Sequence, residues 1–218
     1  MLTIRNLHRI SAVPIAAFAV AHLANHLVAL GSVSSHIAFM EVARLVYRHP
    51  VFEAALLAAV AFQIGSGATL IVRHWRLRRG WIAWLQAGSG AYLAFFLSVH
   101  VGAILYGRFV LALDTNFHYA AAGFHVPPYQ FFFAPYYFLA VLALFTHLGC
   151  VAYWRLNPAN RLARALAVAL PGLIGSTIAL LVCLSLAGRI QPVEVPAKYK
   201  ATYEAKTTPS GERSESQP

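Results

Sequence analysis

The sequence predicts an all-α integral membrane protein, a bundle of five transmembrane helices followed by a disordered C-terminal tail. Hydrophobic residues make up 59% of its 218 residues and charged residues only 11%, against roughly 45–50% and about 25% in an average soluble domain. Five windows are apolar over the about 20 residues that cross the hydrocarbon core of a bilayer. The same composition excludes a wholly disordered chain, and two cysteines inside apolar runs exclude a disulfide framework.

The five predicted spans follow one another with short connections between them. Their approximate bounds are 10–32, 51–73, 83–107, 131–154 and 166–188. The first window has no small-residue cleavage site and holds two histidines, so we interpret it as a span rather than a signal peptide. Residues 1–190 therefore form the membrane domain. Residues 191–218 are polar and rich in Pro, Ser, Lys and Glu, which is typical of a disordered tail.

Charged residues predict how the chain is oriented in the membrane. The N-terminus and the connections after the second and fourth spans share one side of a five-span protein, and they hold arginines but no acidic residue. Every Asp and Glu falls on the opposite side. The positive-inside rule then predicts an inner (cytoplasmic) membrane protein with a cytoplasmic N-terminus and an external C-terminus. The formal charge of +10 thus reflects topology, and membrane lipid, not nucleic acid, is the expected partner.

Histidines inside the predicted spans are the candidate functional residues. Four lie within spans and a fifth lies at the cytoplasmic end of the second span: His22, His26, His100, His147 and His74. Polar groups at that depth are costly and usually have a partner or a function. One buried histidine is explained by a hydrogen bond to a neighbouring helix, but several without a deep carboxylate or lysine favour haem iron, which imidazoles bind in pairs. We interpret the other five as solvated or interfacial: His8, His36, His49, His118 and His125.

A repeated pattern in the first and third spans predicts one ligand pair. Ser11, Phe18 and His22 recur at the same offsets as Ser89, Phe96 and His100. The two spans run in the same direction, so equal offsets place His22 and His100 at similar depth in the outer half of the membrane. This arrangement predicts a bis-histidine haem b, for which His26, one helical turn beyond His22, is a reserve ligand or a hydrogen-bond donor.

A second ligand pair is the weaker prediction. The fourth span begins on the outer side of the membrane, and His147 lies far enough along it to be near the cytoplasmic side. The histidine candidate at comparable depth is His74. One or two haems are therefore compatible with the histidine pattern.

The run Trp84–His100 resembles the third-span signature of the cytochrome b membrane anchors of succinate dehydrogenases and fumarate reductases, of the single-chain, five-span, di-haem type. The segments His8–His22 and Phe145–Gly149 are similar to that family's first and fourth spans. The resemblance implies that His22 and His100 bind an outer haem and that His147 is one ligand of an inner haem. The second span departs from the family, because residues 63–67 contain no histidine. Either His74 substitutes or the inner haem is absent.

The same resemblance implies a subunit of a succinate:quinone oxidoreductase. An iron–sulfur subunit and a flavoprotein subunit would bind its cytoplasmic face, and the chain would carry electrons between the iron–sulfur subunit and membrane quinone. The chain contains no Gly-rich dinucleotide loop and no C-x-x-C motif, so flavin and iron–sulfur chemistry is expected on partner chains. The quinone-site candidates near the outer haem are His26, Ser34, His36, Glu41 and Arg44.

Two other classes of protein stay open. One is a cytochrome b subunit of a hydrogenase or formate dehydrogenase, which co-purification with nickel or molybdenum proteins would favour. The other is a haem-free anchor or small transporter whose histidines bond between helices. A purified chain without Soret absorption would favour that class.

Overall fold

The computed structural model describes residues 3–204, which are helical and contain no strand. Five helices are long and apolar enough to cross a membrane, which confirms the predicted five-span architecture. These are α1 (Ile4–Val28), α3 (Pro50–Arg73), α4 (Trp81–Phe109), α6 (Gln130–Arg155) and α7 (Arg161–Leu186). Three shorter helices lie outside the spans: α2 (Val33–Tyr47), α5 (Phe117–Ala121) and α8 (Ala197–Glu204).

Capping residues explain where several helices begin. The Thr3 side chain accepts a hydrogen bond from a first-turn N–H of α1, Ser32 does the same for α2, and Pro50 occupies the first position of α3. As a result α1 begins at Ile4 and ends at Val28, instead of running over the predicted 10–32. Hydropathy detects only the part of a helix that lies in lipid, whereas a capped helix continues into the polar interface.

The spans pack in a consecutive order. The main neighbours are α1 with α3, α3 with α4, α4 with α6, and α6 with α7. The α6–α7 contact depends on glycine, because a Cβ atom on Gly149 would lie 2.7 Å from the Ala167 carbonyl oxygen. Small residues let helix backbones approach closely in lipid, where apolar side chains gain little by leaving the bilayer.

The two ends of the bundle differ in character. One end carries the N-terminus and the α3–α4 and α6–α7 connections, and we call it the arginine-rich end. We call the other the α2 end, because α2 packs there against α1, α3 and α5. The main cluster of fully buried apolar residues lies at the α2 end: Ala29, Phe117, Ala121, Ala122, Val182, Leu186, Val195 and Tyr199.

The structure corrects the predicted boundary of the C-terminal tail. Val195 is 6% exposed and Tyr199 is 1% exposed, and both belong to the core of the α2 end. The Gln191 side chain also donates a hydrogen bond to the Ala29 carbonyl oxygen. Residues 191–204 are therefore ordered. Burial of Val195 and Tyr199 in the apolar core holds this segment in place although its composition is polar. The remainder of the predicted disordered tail, 205–218, lies outside the described residues.

Candidate functional site

Helices α1 and α4 bring His22 and His100 together. Their ring centroids lie 6.1 Å apart and their planes are inclined by 65°. Two imidazoles on opposite sides of one metal ion have centroids about 6 Å apart, because each metal–nitrogen bond is about 2 Å and each ring centre lies about 1 Å behind its nitrogen. The observed separation is compatible with one shared metal ion.

The nitrogen atoms of these two rings are free. Within residues 3–204, neither His22 nor His100 makes a hydrogen bond to protein, although both are half-buried. Phe18 stacks on His22 with centroids 5.5 Å apart, and Phe96 stacks on His100 at 5.0 Å. The repeated pattern of the first and third spans thus gives the same contact in both helices, a phenylalanine stacked on the histidine four residues later. An unpaired nitrogen in an apolar setting costs free energy, which a bound metal would offset.

The line of histidines continues from His22 toward the α2 end. The His26 ring lies 4.8 Å from that of His22, and the His36 ring lies 5.3 Å from that of His26. His36 Nε2 is 3.2 Å from Asn25 Nδ2. Both His36 and Asn25 are buried, and within the described part of the chain His36 Nδ1 and Asn25 Oδ1 have no hydrogen-bond partner. His36 is therefore not solvated, although one of the two sequence interpretations had it so.

Helix α2 explains why His36 is buried. His36, Met40 and Arg44 are spaced four residues apart and form the buried stripe of this helix. Its other face exposes large apolar side chains: Phe39, Val42, Leu45 and Val46. Such a helix lies along the membrane interface with its apolar face toward lipid. With 15 residues, α2 is too short to cross the membrane. A hydropathy window sized for a membrane span therefore does not detect it.

The remaining quinone-site candidates form a separate group. Arg44 donates hydrogen bonds to Glu41 at 2.7 Å and to Asp114 at 2.6 Å, so its charge is already paired. Ser34 is exposed near the beginning of α2 and lies 3.0 Å from the Ser32 hydroxyl. Of the five candidates, the structure therefore places only His26 and His36 next to the His22–His100 pair. Asn25, which the sequence did not single out, joins them.

The buried His36 predicts a loss of stability in acid. Burial lowers the pKa of His36 to about 4, and the positive charges of His22, Arg44 and His118 act in the same direction. In the unfolded chain His36 has its ordinary pKa of 6.5. Its contribution to the free energy of unfolding is therefore fully present above pH 6.5, and it is lost as the pH falls from 6.5 to about 4. We expect the melting temperature in detergent to fall across this range, and to fall less in His36→Gln. An equal fall in both proteins would contradict this assignment.

The structure does not bring the predicted inner pair together. His147 Nδ1 lies 3.3 Å from Ser89 Oγ and 3.1 Å from the Gln86 carbonyl oxygen, so its ring is bound to α4. His74 follows the last residue of α3, and its Nδ1 lies 3.0 Å from the Leu70 carbonyl oxygen. Within residues 3–204, no hydrogen bond or ring contact links His74 to His147. His74 remains at the end of its helix, whereas His147 contacts residues inside α4.

His8 is the functional candidate that the sequence interpretation missed. It lies one turn inside α1, with Nδ1 2.8 Å from Ser66 Oγ and Nε2 3.0 Å from Gln63 Nε2. Ser11 donates a hydrogen bond of 2.7 Å to Gln63 Oε1 and completes this network. His8 is therefore hydrogen-bonded to α3 and half-buried, and not simply solvated. The Thr3 cap was the available signal, because it places His8 inside the helix.

Comparison with known proteins finds no matching family model, curated protein or solved structure. The site is therefore interpreted from its own geometry, which contains two polar centres. One is the His22–His100 pair with His26, His36 and Asn25 toward the α2 end. The other lies toward the arginine-rich end, where His8 is hydrogen-bonded to α3 and His147 to α4, without a ring contact between the two histidines.

Proposed function

We propose that this chain is a haem b-containing membrane anchor of a succinate dehydrogenase or fumarate reductase complex. In this role it transfers electrons between an iron–sulfur subunit and membrane quinone. The observation that carries the proposal is the His22–His100 pair, with two free imidazoles 6.1 Å apart on different spans. The order of its histidines on five spans supports the choice of this family.

The number of available ligands favours haem over a bare metal ion. Structural metal ions such as zinc take about four protein ligands. Within residues 3–204, no group of three or more His, Cys, Asp or Glu side chains is arranged to hold a metal ion. A haem iron already has four porphyrin nitrogens and needs only axial ligands from the protein. A pair of histidines is therefore sufficient.

The chain's own residues would perform three tasks. His22 and His100 would hold the iron, and Phe18 and Phe96 would keep water away from their rings. The haem supplies a one-electron carrier inside the bilayer. Asn25 Nδ2 donates to His36 Nε2, so His36 Nδ1 carries the hydrogen and would donate to the carbonyl of a quinone bound beside His26. Asn25 Oδ1 would accept a hydrogen bond from the hydroxyl of the reduced hydroquinone.

The arginine-rich end is the proposed docking face for the iron–sulfur subunit. Arg73, Arg76 and Arg79 are exposed there around the α3–α4 connection. Several cations on one face attract an acidic partner surface and steer its approach. In the proposed orientation this face is cytoplasmic, in an inner membrane.

The experiment that tests the proposal is haem quantitation on the full-length chain in detergent. We expect a reduced-minus-oxidised spectrum of a b-type cytochrome and at least one haem per chain by pyridine haemochrome assay. A protein purified from its native membrane without haem would contradict the proposal. Co-purification with nickel or molybdenum proteins, instead of a flavoprotein and an iron–sulfur protein, would contradict the assignment to this enzyme class.

A further inference from the structure

A groove of about 540 Å³ lies between α6 and α7 at the α2 end of the bundle. It extends from Gln130, the first residue of α6, to Phe138, which lies eight residues further along that helix. At about 1.5 Å per residue this length is about 12 Å, and half of the hydrocarbon core of a bilayer is about 15 Å thick. The groove therefore runs from the membrane interface through most of one leaflet.

Small side chains leave this space open. Further along the same helix pair, toward the arginine-rich end, α6 and α7 are in close contact, because a Cβ atom on Gly175 would lie 2.6 Å from Phe145 Cβ. At the α2 end the groove is lined by Ala134 of α6 and by Ala187, the C-cap residue of α7. A methyl group on either side is too short to fill the gap between the helices.

The walls of the groove are apolar and open to the outside of the bundle. Phe131 is 78% exposed and Leu180 is 51% exposed, and both line the groove. At this depth in a membrane, exposed apolar side chains contact hydrocarbon. An acyl chain lying in the groove gives its walls the dispersion contacts that an empty space would lack.

Two polar side chains lie at the interfacial end of the groove. Arg189 lines it three residues after the last residue of α7 and is exposed, and Gln130 lines it at the beginning of α6. Gln130 Oε1 is buried and has no hydrogen-bond partner within residues 3–204. In the same part of the chain, the Arg189 guanidinium makes neither a hydrogen bond nor an ion pair.

The charge of Arg189 distinguishes it from the other arginines at this end. Each of those has a carboxylate within ion-pair distance, in the pairs Arg44–Glu41, Arg44–Asp114, Arg48–Asp114 and Arg108–Glu53. An interfacial guanidinium without a carboxylate attracts the phosphate of an anionic lipid, to which it can donate two parallel hydrogen bonds. The groove thus combines an apolar channel for a chain with a cation at its mouth.

We propose that this groove binds one molecule of phosphatidylglycerol, an anionic phospholipid, in the leaflet at the α2 end. One acyl chain lies between α6 and α7, Arg189 donates hydrogen bonds to the phosphate, and Gln130 Oε1 accepts one from a glycerol hydroxyl of the headgroup. A quinone tail is also apolar, but a quinone headgroup is neutral and leaves Arg189 without a counter-charge. The groove contains neither His22 nor His100, so this inference does not depend on haem.

The test is native mass spectrometry of the full-length chain after incubation in detergent with dioleoyl phosphatidylglycerol or, separately, dioleoyl phosphatidylcholine. The acyl chains of the two lipids are identical, so a difference in binding reports on the headgroup. We expect one phosphatidylglycerol per chain and about fivefold weaker retention of phosphatidylcholine, the order expected for one cation at a membrane surface. Arg189→Gln should lower phosphatidylglycerol retention about fivefold and remove the preference, whereas Arg189→Lys should keep it.

Lys200→Gln is the matched charge control, because it removes one positive charge from α8 at the same end and Lys200 does not line the groove. This variant should bind phosphatidylglycerol as the unaltered chain does. Ala134→Leu fills part of the groove without changing the charge, and it should lower the retention of both lipids.

Three results would overturn the proposal. The first is equal phosphatidylglycerol retention in Arg189→Gln and Lys200→Gln, and the second is unchanged retention in Ala134→Leu. The third is a different occupant, seen as displacement of phosphatidylglycerol by an equal concentration of decylubiquinone or as a dimer of the chain without bound lipid. Haem content should be the same in Arg189→Gln as in the unaltered chain, so failure of the lipid test leaves the proposed function standing.

Discussion

Replacing His100 with alanine is expected to remove the haem that we propose between α1 and α4, and to lower the haem content by one per chain. Within residues 3–204, the rings of His22 and His100 are in contact across these two helices, and neither ring makes a hydrogen bond to protein. The substitution would remove one of the two axial ligands of the proposed haem. Pyridine haemochrome assay and the Soret band of the purified variant measure the loss.

His118→Ala is the control for this experiment. His118 lies at the α2 end, where its ring stacks on Tyr199, and it has no ring contact with His22 or His100. We expect this variant to keep the spectrum of the unaltered chain. The double variant His22→Ala/His100→Ala should lose no more haem than either single variant, because both remove the same site. Unaltered haem content in His100→Ala would exclude the pair as ligands.

Replacing Gly149 with alanine is expected to destabilise the packing of α6 on α7. The added Cβ atom would lie 2.7 Å from the Ala167 carbonyl oxygen and 3.3 Å from the Val168 Cα atom, which are backbone atoms that cannot rotate away. The helices must separate to admit the methyl group. Forcing extra volume into a packed interface typically costs about 1–3 kcal/mol. Circular dichroism recorded during unfolding in dodecyl sulfate measures this change in the free energy of unfolding.

Gly172→Ala provides a matched control on the same helix pair. A Cβ atom on Gly172 would meet no atom within 4 Å, so the substitution adds no clash. Alanine also has a higher helix propensity than glycine, by about 1 kcal/mol. We expect this variant to be as stable as the unaltered chain or slightly more stable. If Gly149→Ala were equally stable, close backbone approach would not hold α6 and α7 together.

Local sequence patterns predicted all five spans, and two of them closely. The predicted windows 51–73 and 131–154 differ from α3 and α6 by a single residue at three of their four ends and agree at the fourth. A span must be apolar over the thickness of the bilayer, so each can be recognised without knowledge of its neighbours. The proximity of His22 and His100 could be predicted for a related reason. Equal offsets on two spans of the same direction place the residues at equal depth.

Contacts between distant segments were not predictable in this way. Tyr199 lies in a polar stretch, and its burial depends on Phe117 and the end of α7. His36 is buried only because α2 folds back against α1. Both residues are buried by segments that are distant in the sequence. A pattern read over a short window of residues does not include those segments.

The amino-acid sequence by itself determined that the chain has five apolar spans and that two histidines share one depth, because lipid acts on each helix separately. Only the tertiary structure decided which polar groups meet. It placed His8 against α3 and His147 against α4, and left His74 at the end of its helix. Depth is a property of one helix, whereas a ligand pair also depends on how helices are rotated and packed, and hydrophobic periodicity does not specify that.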